Sequence, residues 1–266
     1  MRDALCAVDA ARSRLARGYL LMLDFDGVLA PIVADPERAR MHARTKRLLA
    51  ACAQHAQVVV ISGRALADVK MRVSVPGLWY AGNHGNEWHF GIVRGCAAQS
   101  HAARGALRAA RAACFLLAKR YSGVTVEDKA LTFSVHYRRL AQRRIAAFCH
   151  DMHALQQQFA RALDVTEGGE YIFDMRPRSA RTKGDAVRLA RTCARPGLLP
   201  IFIGDDATDE DAFNVLPRGI TIRVGATRAS AARYYVRARA DVDPILETLA
   251  RLAPTPRSYP RPRLPR

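Results

Sequence analysis

The stretch LMLDFDGVLAPI, at residues 21–32, decides how the fold of this chain is interpreted. An apolar run ends there on Asp24 and Asp26, which flank Phe25 and precede Gly27. In an extended segment the side chains alternate between two faces, so the two aspartates point the same way. Two like charges held that close repel each other unless a cation lies between them. Taken alone, the stretch is compatible either with a metal site at the end of a buried strand or with a strand that ends in an Asp-Gly turn.

The rest of the chain alternates β-branched apolar runs with longer amphipathic stretches, a pattern that predicts an α/β fold with a largely parallel sheet. The predicted strands are residues 19–23, 57–61, 78–81, 199–203 and 219–224, and the predicted helices are 43–56, 65–72, 183–194, 209–216 and 244–253. This alternation of strands and helices changes in the middle of the chain. There we predict a helix at 101–121, strands at 124–127 and 131–137, a helix at 140–160, and strands at 164–167 and 171–175.

The short links between those middle strands indicate antiparallel hairpins packed under two helices. We therefore predict a core domain made of residues 1–96 and 179–253, with a small α/β domain inserted at 97–178. The segment 254–266 is rich in Pro and Arg and lacks apolar periodicity, so we expect a disordered basic tail.

The charge balance bears on the partners of the chain. Its 266 residues include 42 Lys and Arg against 24 Asp and Glu, a formal net charge of +18. Such a charge attracts nucleic acid through counterion release. The basic residues are dispersed, however, and no recognised nucleic-acid module accompanies them. We expect no nucleic-acid partner, and a non-catalytic nucleic-acid-binding protein is the alternative from another functional class.

Other composition features bear on the compartment. No run approaches the ~20 apolar residues that span a bilayer, and the first residues carry early charges without the apolar centre of a signal peptide. The six scattered cysteines are typical of reduced thiols. We expect a cytoplasmic protein without a membrane partner, present as a monomer or a weak dimer.

Polar motifs follow several of the predicted strands. In parallel α/β sheets ligands bind beyond the carboxyl ends of the strands. Besides DFDG, these positions carry SGR at 62–64, NHGNE at 83–87 and GDDATDEDAF at 204–213, and Lys183 opens a helix in TKGDAV. Each motif alone has a plain structural explanation: Ser62 as a helix N-cap, Lys183 as a solvated lysine, and the acidic run as a helix start capped by Thr208 or Asp209. Together, Asp205 and Asp206 could complete a Mg²⁺ site with oxygen ligands.

The order of carboxylate pair, serine, lysine and second carboxylate pair resembles that of the haloacid dehalogenase-like (HAD) phosphohydrolases, over nearly the whole chain. The resemblance implies a Rossmann-like core with an inserted α/β cap of the second type (C2B), in the order αββαββ. The match narrows to the trehalose-6-phosphate phosphatase family through DFDGVLAPI, VVVISGR, YAGNHGNEW, VEDKALTFSVHYR and GDDATDEDAF. One region departs: MRPRSARTKGDAV, at 175–187, has an extra residue and lacks a glycine before the lysine.

The resemblance implies Mg²⁺-dependent hydrolysis of a phosphosugar, trehalose 6-phosphate, through an aspartyl-phosphate. It implies Asp24 as the nucleophile, Asp26 as the general acid and base, and Ser62 and Lys183 as stabilisers of the phosphoryl oxygens. The implied Mg²⁺ ligands are the carboxylates of Asp24 and Asp205 and the backbone carbonyl of Asp26. Asp206 and Asp209 would orient metal-bound waters or Lys183.

Substrate contacts are harder to assign, because charged residues at strand ends and links are often only solvated. The substrate-binding candidates are Gly63, Arg64, Asn83, His84 and Glu87 in the core and Glu127, Lys129, His136, Arg138 and Glu167 in the cap. His84 could equally be a structural histidine. Another phosphosugar phosphatase, such as one acting on sucrose phosphate, or a phosphomutase with a similar cap stays open as an alternative.

Overall fold

The computed structural model describes residues 2–33, 35–167, 171–225 and 229–252, with only the backbone for Arg2 and Glu167. The predicted tail at 254–266 lies outside these residues. The chain divides into two compact units. The core unit combines Met1–Gly95 with Thr182–Arg266, and the inserted unit is Cys96–Arg181.

The secondary structure follows the chain in the order predicted from periodicity. The strands are β1 (Arg2–Asp3), β2 (Tyr19–Leu23), β3 (Gln57–Ile61), β4 (Trp79–Gly82), β5 (Glu87–Phe90), β6 (Val93–Cys96), β7 (Thr125–Asp128), β8 (Phe133–His136), β9 (Leu163–Glu167), β10 (Ile172–Pro177), β11 (Leu199–Gly204), β12 (Ile220–Val224) and β13 (Tyr234–Val236). The α-helices are α1 (Ala4–Ala10), α2 (Arg12–Leu15), α3 (Ala43–Ala53), α4 (Leu66–Val73), α5 (His101–Arg120), α6 (Gln142–Phe159), α7 (Lys183–Cys193), α8 (Glu210–Asn214) and α9 (Val242–Arg251). Short 3₁₀ helices occupy Pro36–Arg38, Asn83–Gly85, Ala207–Asp209 and Arg239–Asp241.

Every strand and helix predicted from the sequence is present, with small differences at the ends. The sequence analysis did not predict β1, α1, α2, β5, β6 or β13. These elements are short, and short segments carry too few residues to show a period.

A nine-stranded sheet organises the described part of the core unit, in the order β1-β13-β12-β11-β2-β3-β4-β5-β6. The strands from β1 to β4 in that order pair in parallel, and β5 pairs antiparallel to β4. The chain moves from β2 outward through β3 and β4, then returns to the other side of β2 with β11. The strand order therefore reverses direction at β2, and ligands bind at such a switch point in open α/β sheets.

Alternate residues of β2 enter two different hydrophobic cores, because successive side chains of a strand point to opposite faces. Leu21 and Leu23 pack into the core that includes residues of α1, α3, α4 and α9. Leu20 and Met22 pack on the other side, with residues of α7 and α8. A strand that is buried on both faces has apolar residues at successive positions, which explains the sequence YLLML of β2.

The inserted unit has its own sheet and its own core. Its four-stranded sheet has the order β7-β8-β10-β9, with antiparallel neighbours throughout. One face packs against α5 and α6 through Phe133, Val135, Phe173 and Met175. The predicted element order of helix, two strands, helix and two strands is what this unit has.

Two further observations concern the chain as a whole. No helix within the described ranges combines the length and the apolar character needed to cross a bilayer. The six cysteines are not joined by disulfides.

Candidate active site

The two aspartates of the DFDG motif lie just beyond the carboxyl end of β2, at the switch point of the sheet. The Asp24 N–H still donates to the carbonyl of Ile203 on β11, at 3.0 Å. The strand itself ends at Leu23, and the chain turns at Gly27, whose φ is +72°. The alternation that predicted a common direction for both side chains therefore does not apply beyond Leu23. In the structure the two carboxylates contact different cationic groups.

Asp24 is paired with Lys183, which begins α7. The Lys183 ammonium donates to Asp24 Oδ2 at 2.7 Å and to Asp209 Oδ1 at 2.8 Å, and it is 1% exposed. Thr182 caps the helix and Asp185 completes the capping box, so the helix start fixes the lysine in place. The extra residue and the absent glycine before Lys183 do not prevent this arrangement. The Phe25 N–H donates to the other Asp24 oxygen at 2.6 Å.

The acidic run after β11 folds around its own carboxylates. Asp206 is the N-cap of the 3₁₀ turn, since its Oδ1 accepts from the Thr208 and Asp209 N–H groups. Of the two residues expected to cap the helix start, Asp209 is the N-cap residue of α8 without a side-chain capping bond, and it completes the capping box of the preceding turn. Asp209 is fully buried, and its Oδ2 accepts from the Asp205 N–H at 2.9 Å and the Asp206 N–H at 3.0 Å. Because its other oxygen holds Lys183, Asp209 links the loop to the lysine.

Asp26 is held by a bidentate contact with Arg64. The Arg64 Nε lies 2.7 Å from Asp26 Oδ2, and a terminal guanidinium nitrogen lies 2.8 Å from Oδ1. Arg64 is buried and also contacts Asp68 at 3.1 Å. Asp68 was not among the predicted site residues, although its spacing of four residues from Arg72 is typical of a helix ion pair. In the structure Arg64 fixes the orientation of the Asp26 carboxylate, and its contact with substrate stays a prediction.

The loops after β3 and β4 are bonded to each other. The Asn83 N–H donates to the Arg64 carbonyl at 2.7 Å, and the His84 N–H donates to the Ser62 carbonyl at 2.9 Å. Asn83, His84 and Gly85 all have positive φ, at 49°, 56° and 99°. Such a left-handed turn costs free energy for residues that carry a Cβ, and it persists because the surrounding contacts enforce it.

The small residues of the SGR motif fit closely into this arrangement. A Cβ at Gly63 would lie 2.6 Å from the His84 ring, so only glycine is accommodated there. The Ser62 hydroxyl is fully buried and accepts from the Arg64 N–H at 3.2 Å, which leaves its own hydrogen to donate. Glu87 accepts from the Leu66 N–H at 3.0 Å and so stabilises the first turn of α4.

Burial and charge together shift the pKa values of these carboxyl groups. Burial raises the pKa of Asp24 well above its usual range, with Lys183 acting in the opposite direction. Burial and the neighbouring carboxylates raise the pKa of Asp205 to about 8 and that of Asp209 to about 6. For Asp206 burial is outweighed by the Lys183 charge and the Thr208 hydrogen bonds, which lower its pKa to about 2.

The carboxylates of the site fit a bound cation. Oxygens of Asp24, Asp205 and Asp209 lie within 4.8 Å of one another. Five carboxylates, counting Asp26 and Asp206, face two basic groups, Lys183 and Arg64. This excess of negative charge in a buried site favours a hard divalent ion with oxygen ligands. Among the described residues Asp209 accepts three hydrogen bonds and Asp24 accepts two, so Asp24 and Asp205 are the donors that best fit such an ion.

Gly27 determines how closely Asp205 approaches this cluster. An ideal Cβ at Gly27 would lie 1.9 Å from Asp205 Oδ2. The carboxylate therefore occupies space that every other residue type at position 27 would fill. The backbone carbonyl of Asp26, the third ligand implied by the family resemblance, stays a prediction.

A second polar cluster lies on the inserted unit, on the sheet face opposite its helices. Glu127 and Asp174 are each paired with Ser134 across the sheet, and His136 lies two residues further on the same face. The Glu127 carboxylate is 2.9 Å from His136 Nε2. The Lys129 ammonium donates to Ser134 Oγ at 2.7 Å and lies 3.7 Å from Glu127 and 3.8 Å from Asp174. The structure thus brings together three of the five predicted cap residues.

Arg138 and Glu167 are the other two predicted cap residues. The Arg138 guanidinium lies over the Tyr171 ring, 5.5 Å from its centroid. The side chain of Glu167 lies outside the described part of the structure. The sequence analysis missed Ser134 and Asp174; their alternation with Phe133 and Phe173 is the signal that places them on the polar face.

Comparison with known proteins places the chain in a family. The trehalose-phosphatase family model matches residues 22–240. Curated trehalose-phosphate phosphatases of Mycobacterium tuberculosis and Mycobacterium leprae are 37% and 36% identical, each over 94% of this chain. The chain spans 66% and 61% of their lengths, so it matches less than two thirds of these relatives.

A solved structure supports the fold independently. The C-terminal domain of Candida albicans trehalose-6-phosphate phosphatase has a TM-score of 0.80 and 21% identity, with 95% of this chain and 97% of that domain covered. Its likeness confirms the predicted α/β fold. Since the family model covers most of the chain, including every core motif from DFDG to GDDATDED, this chain belongs to the trehalose-phosphatase family.

Proposed function

We propose that this chain hydrolyses trehalose 6-phosphate to trehalose and phosphate, in a Mg²⁺-dependent reaction that passes through an aspartyl-phosphate. The observation that carries the proposal is the environment of Asp24: a buried carboxylate at the switch point, 2.7 Å from Lys183 and clustered with Asp205. Membership of the trehalose-phosphatase family supports the choice of sugar.

Asp24 would act as the nucleophile. Attack of one of its oxygens on phosphorus splits the hydrolysis into two displacements. Lys183 and the Phe25 N–H fix the carboxylate, and each oxygen keeps lone-pair capacity beyond these hydrogen bonds. Because attack requires the ionised carboxylate, the burial that raises the pKa of Asp24 must be offset by positive charge.

Mg²⁺ held by the Asp24 and Asp205 carboxylates would supply that charge and neutralise the transferring phosphoryl group. Asp209 would act indirectly, since it holds Lys183 and the backbone of the Asp205 loop. Ser62 would donate its hydroxyl hydrogen to a phosphoryl oxygen, and Lys183 would stabilise the charge on another.

Asp26 would act as the general acid and then as the general base. It would protonate the sugar oxygen that leaves phosphorus, and later accept a proton from the water that cleaves the aspartyl-phosphate. The Asp26 side chain is 40% exposed, whereas the Asp24 side chain is 7% exposed. Arg64 would position Asp26 through the bidentate contact.

Sugar recognition would lie with the polar face of the inserted unit. Glu127, Lys129 and His136 are hydrogen-bonding groups that can bind sugar hydroxyls, and they lie within contact distance of one another. Asn83, His84 and Glu87 of the core unit serve as supports in the described structure, and their contact with substrate stays a prediction.

The test measures phosphate release from a panel of substrates: trehalose 6-phosphate, sucrose 6-phosphate, glucose 6-phosphate and glucose 1-phosphate. Wild type and Asp24→Asn are each measured with Mg²⁺ and with a chelator. We expect a preference for trehalose 6-phosphate that requires both Mg²⁺ and Asp24. A preference for another member of the panel would contradict the proposed sugar, and full activity of Asp24→Asn would contradict the nucleophile.

A further inference from the structure

The amino ends of the central strands border a groove on the opposite edge of the sheet from the DFDG motif. This amino-edge groove has a volume of about 540 Å³ and is lined in part by the start of β11 and by the residue before β12. Asp205 follows the other end of β11. Since β11 has six residues and a strand rises roughly 3.3 Å per residue, about 17 Å separates the two edges.

Four arginines from separate segments of the core unit line the groove. Arg14 is on α2, Arg17 follows that helix, Arg191 is in the last turn of α7, and Arg218 lies between α8 and β12. The lining includes no aspartate or glutamate. Among the described residues none of these four guanidinium groups forms an ion pair, whereas Arg188, on the same helix as Arg191, pairs with Asp185.

Helix dipoles explain part of this arrangement, because cations are favoured near helix carboxyl ends. The carboxyl end of α7 adjoins the groove and contributes about half a negative charge. The four guanidinium groups exceed that by more than three positive charges. All four side chains are exposed, so water screens part of this charge, and an anion in the groove would be attracted to all four.

The floor of the groove is different in character from its rim. The apolar surface that a ligand can contact there is provided by Leu198, Pro200 and Val215, which are half-buried, with Leu199 and Leu216 buried beneath them. A concave apolar surface with a few convergent polar groups is typical of small-molecule sites. Guanidinium groups bind phosphate oxygens in a bidentate manner, and four of them can engage more than one phosphate group.

We propose that the amino-edge groove binds a nucleoside polyphosphate, with the arginines on the phosphates and the base against the apolar floor. The groove is separate from the candidate active site, and this assignment does not depend on the proposed phosphatase activity. It accounts for four arginines at one edge of the sheet that have no ion-pair partner among the described residues and that catalysis at the other edge does not use.

The test is calorimetric titration of the full chain with ATP, ADP and AMP at 0.15 M salt, without a divalent cation, so that the carboxylates of the active site repel the ligand. We expect affinity to rise from AMP to ATP. The double variant Arg14→Gln/Arg218→Gln should lose at least about tenfold in ATP affinity, because it removes two of the four guanidinium groups that bind the phosphates.

The matched control is Arg47→Gln/Arg104→Gln, which removes the same charge at exposed sites outside the groove. It should bind ATP within about twofold of wild type, and thermal unfolding should show both double variants folded. Equal loss of affinity in both double variants would overturn the proposal, as would ATP binding no tighter than that of inorganic phosphate. Tighter binding of an oligothymidylate than of ATP, with the same dependence on Arg14 and Arg218, would replace the small-molecule ligand with nucleic acid.

Discussion

Each of the two units places a lysine among carboxylates, and the two lysines differ in how they are held. Lys183 of the core unit is 1% exposed and contacts Asp24 and Asp209 directly, at 2.7 and 2.8 Å. Lys129 of the inserted unit is 10% exposed, and the carboxylates of Glu127 and Asp174, among the described side chains, lie 3.7 and 3.8 Å from it. Its ammonium donates to the Ser134 hydroxyl at 2.7 Å. The comparison teaches that the core lysine is held by direct contacts with buried carboxylates, whereas the lysine of the inserted unit is held by a hydroxyl with these carboxylates further away.

The same substitution at the two lysines gives the largest expected contrast. Lys183→Met leaves two buried carboxylates without their cation, so we expect a loss of about 3–5 kcal/mol in the free energy of unfolding. Lys129→Met should cost less, about 1–3 kcal/mol, because it removes the hydrogen bond to Ser134 and not the direct contacts with two buried carboxylates that Lys183 makes. Urea unfolding of both variants measures the difference. Similar losses in the two variants would break the comparison.

Gly27→Ala tests the position of Asp205 in the core cluster. The new Cβ collides with the Asp205 carboxylate, and a displacement near 1 Å at a catalytic group costs about 10²-fold in turnover. Gly77→Ala is the control, because Gly77 has a similar φ of +78° and nothing lies within 4 Å of its added Cβ. Both variants should lose about 1–2 kcal/mol of stability from the backbone strain. Turnover should fall only in Gly27→Ala, and equal turnover in both would show that the collision is relieved without consequence.

Arg64→Lys tests the support of Asp26. Lysine keeps the charge but cannot make the bidentate contact, so we expect kcat to fall roughly tenfold through the loss of one charge-assisted hydrogen bond. Arg72→Lys is the matched control, since Arg72 contacts Asp68 and Glu37 but not Asp26. Steady-state kinetics of the two variants compare the effects. A larger decrease in Arg72→Lys would assign the role to Asp68 and the helix instead.

Glu127→Gln should give the smallest effect, and it should fall on substrate binding. The side chain is 35% exposed and does not take part in the proposed chemistry. We expect KM for trehalose 6-phosphate to rise by up to about tenfold, with kcat within about twofold. Asp128→Asn is the control, because Asp128 alternates with Glu127 along β7 and pairs with Arg111. A fall in kcat without a change in KM would place Glu127 in the catalytic machinery.

The central residues of the site could be predicted because the ends of the strands can be located from the sequence. Hydrophobic periodicity located β2, β3 and β11, and parallel strands bring their carboxyl ends to one edge of a sheet. Asp24, Asp205 and Lys183 were therefore expected together, and they are in contact or clustered in the structure. These residues are far apart in the sequence, and the order of strands and helices along the chain is enough to predict that they meet.

The remaining details depend on local geometry that no periodicity encodes. The common direction of Asp24 and Asp26 was argued from strand alternation, and β2 ends before both residues. The Arg64 contact with Asp26 and the left-handed turn at residues 83–85 each depend on two loops that meet only in the folded chain. In the inserted unit, several polar residues of the cluster were predicted from the sequence. The contacts that Ser134 and Asp174 make with that cluster were not.

The most direct test of the central claim is chemical trapping of the phosphorylated residue. Wild type is mixed with trehalose 6-phosphate and Mg²⁺, quenched in acid within the first turnovers, and reduced with borohydride, which converts an aspartyl-phosphate to homoserine. Peptide mass spectrometry should find homoserine at position 24 and at no other aspartate, and none in Asp24→Asn. Homoserine at another aspartate, or substrate turnover with no modified aspartate in the quenched samples, would contradict Asp24 as the nucleophile.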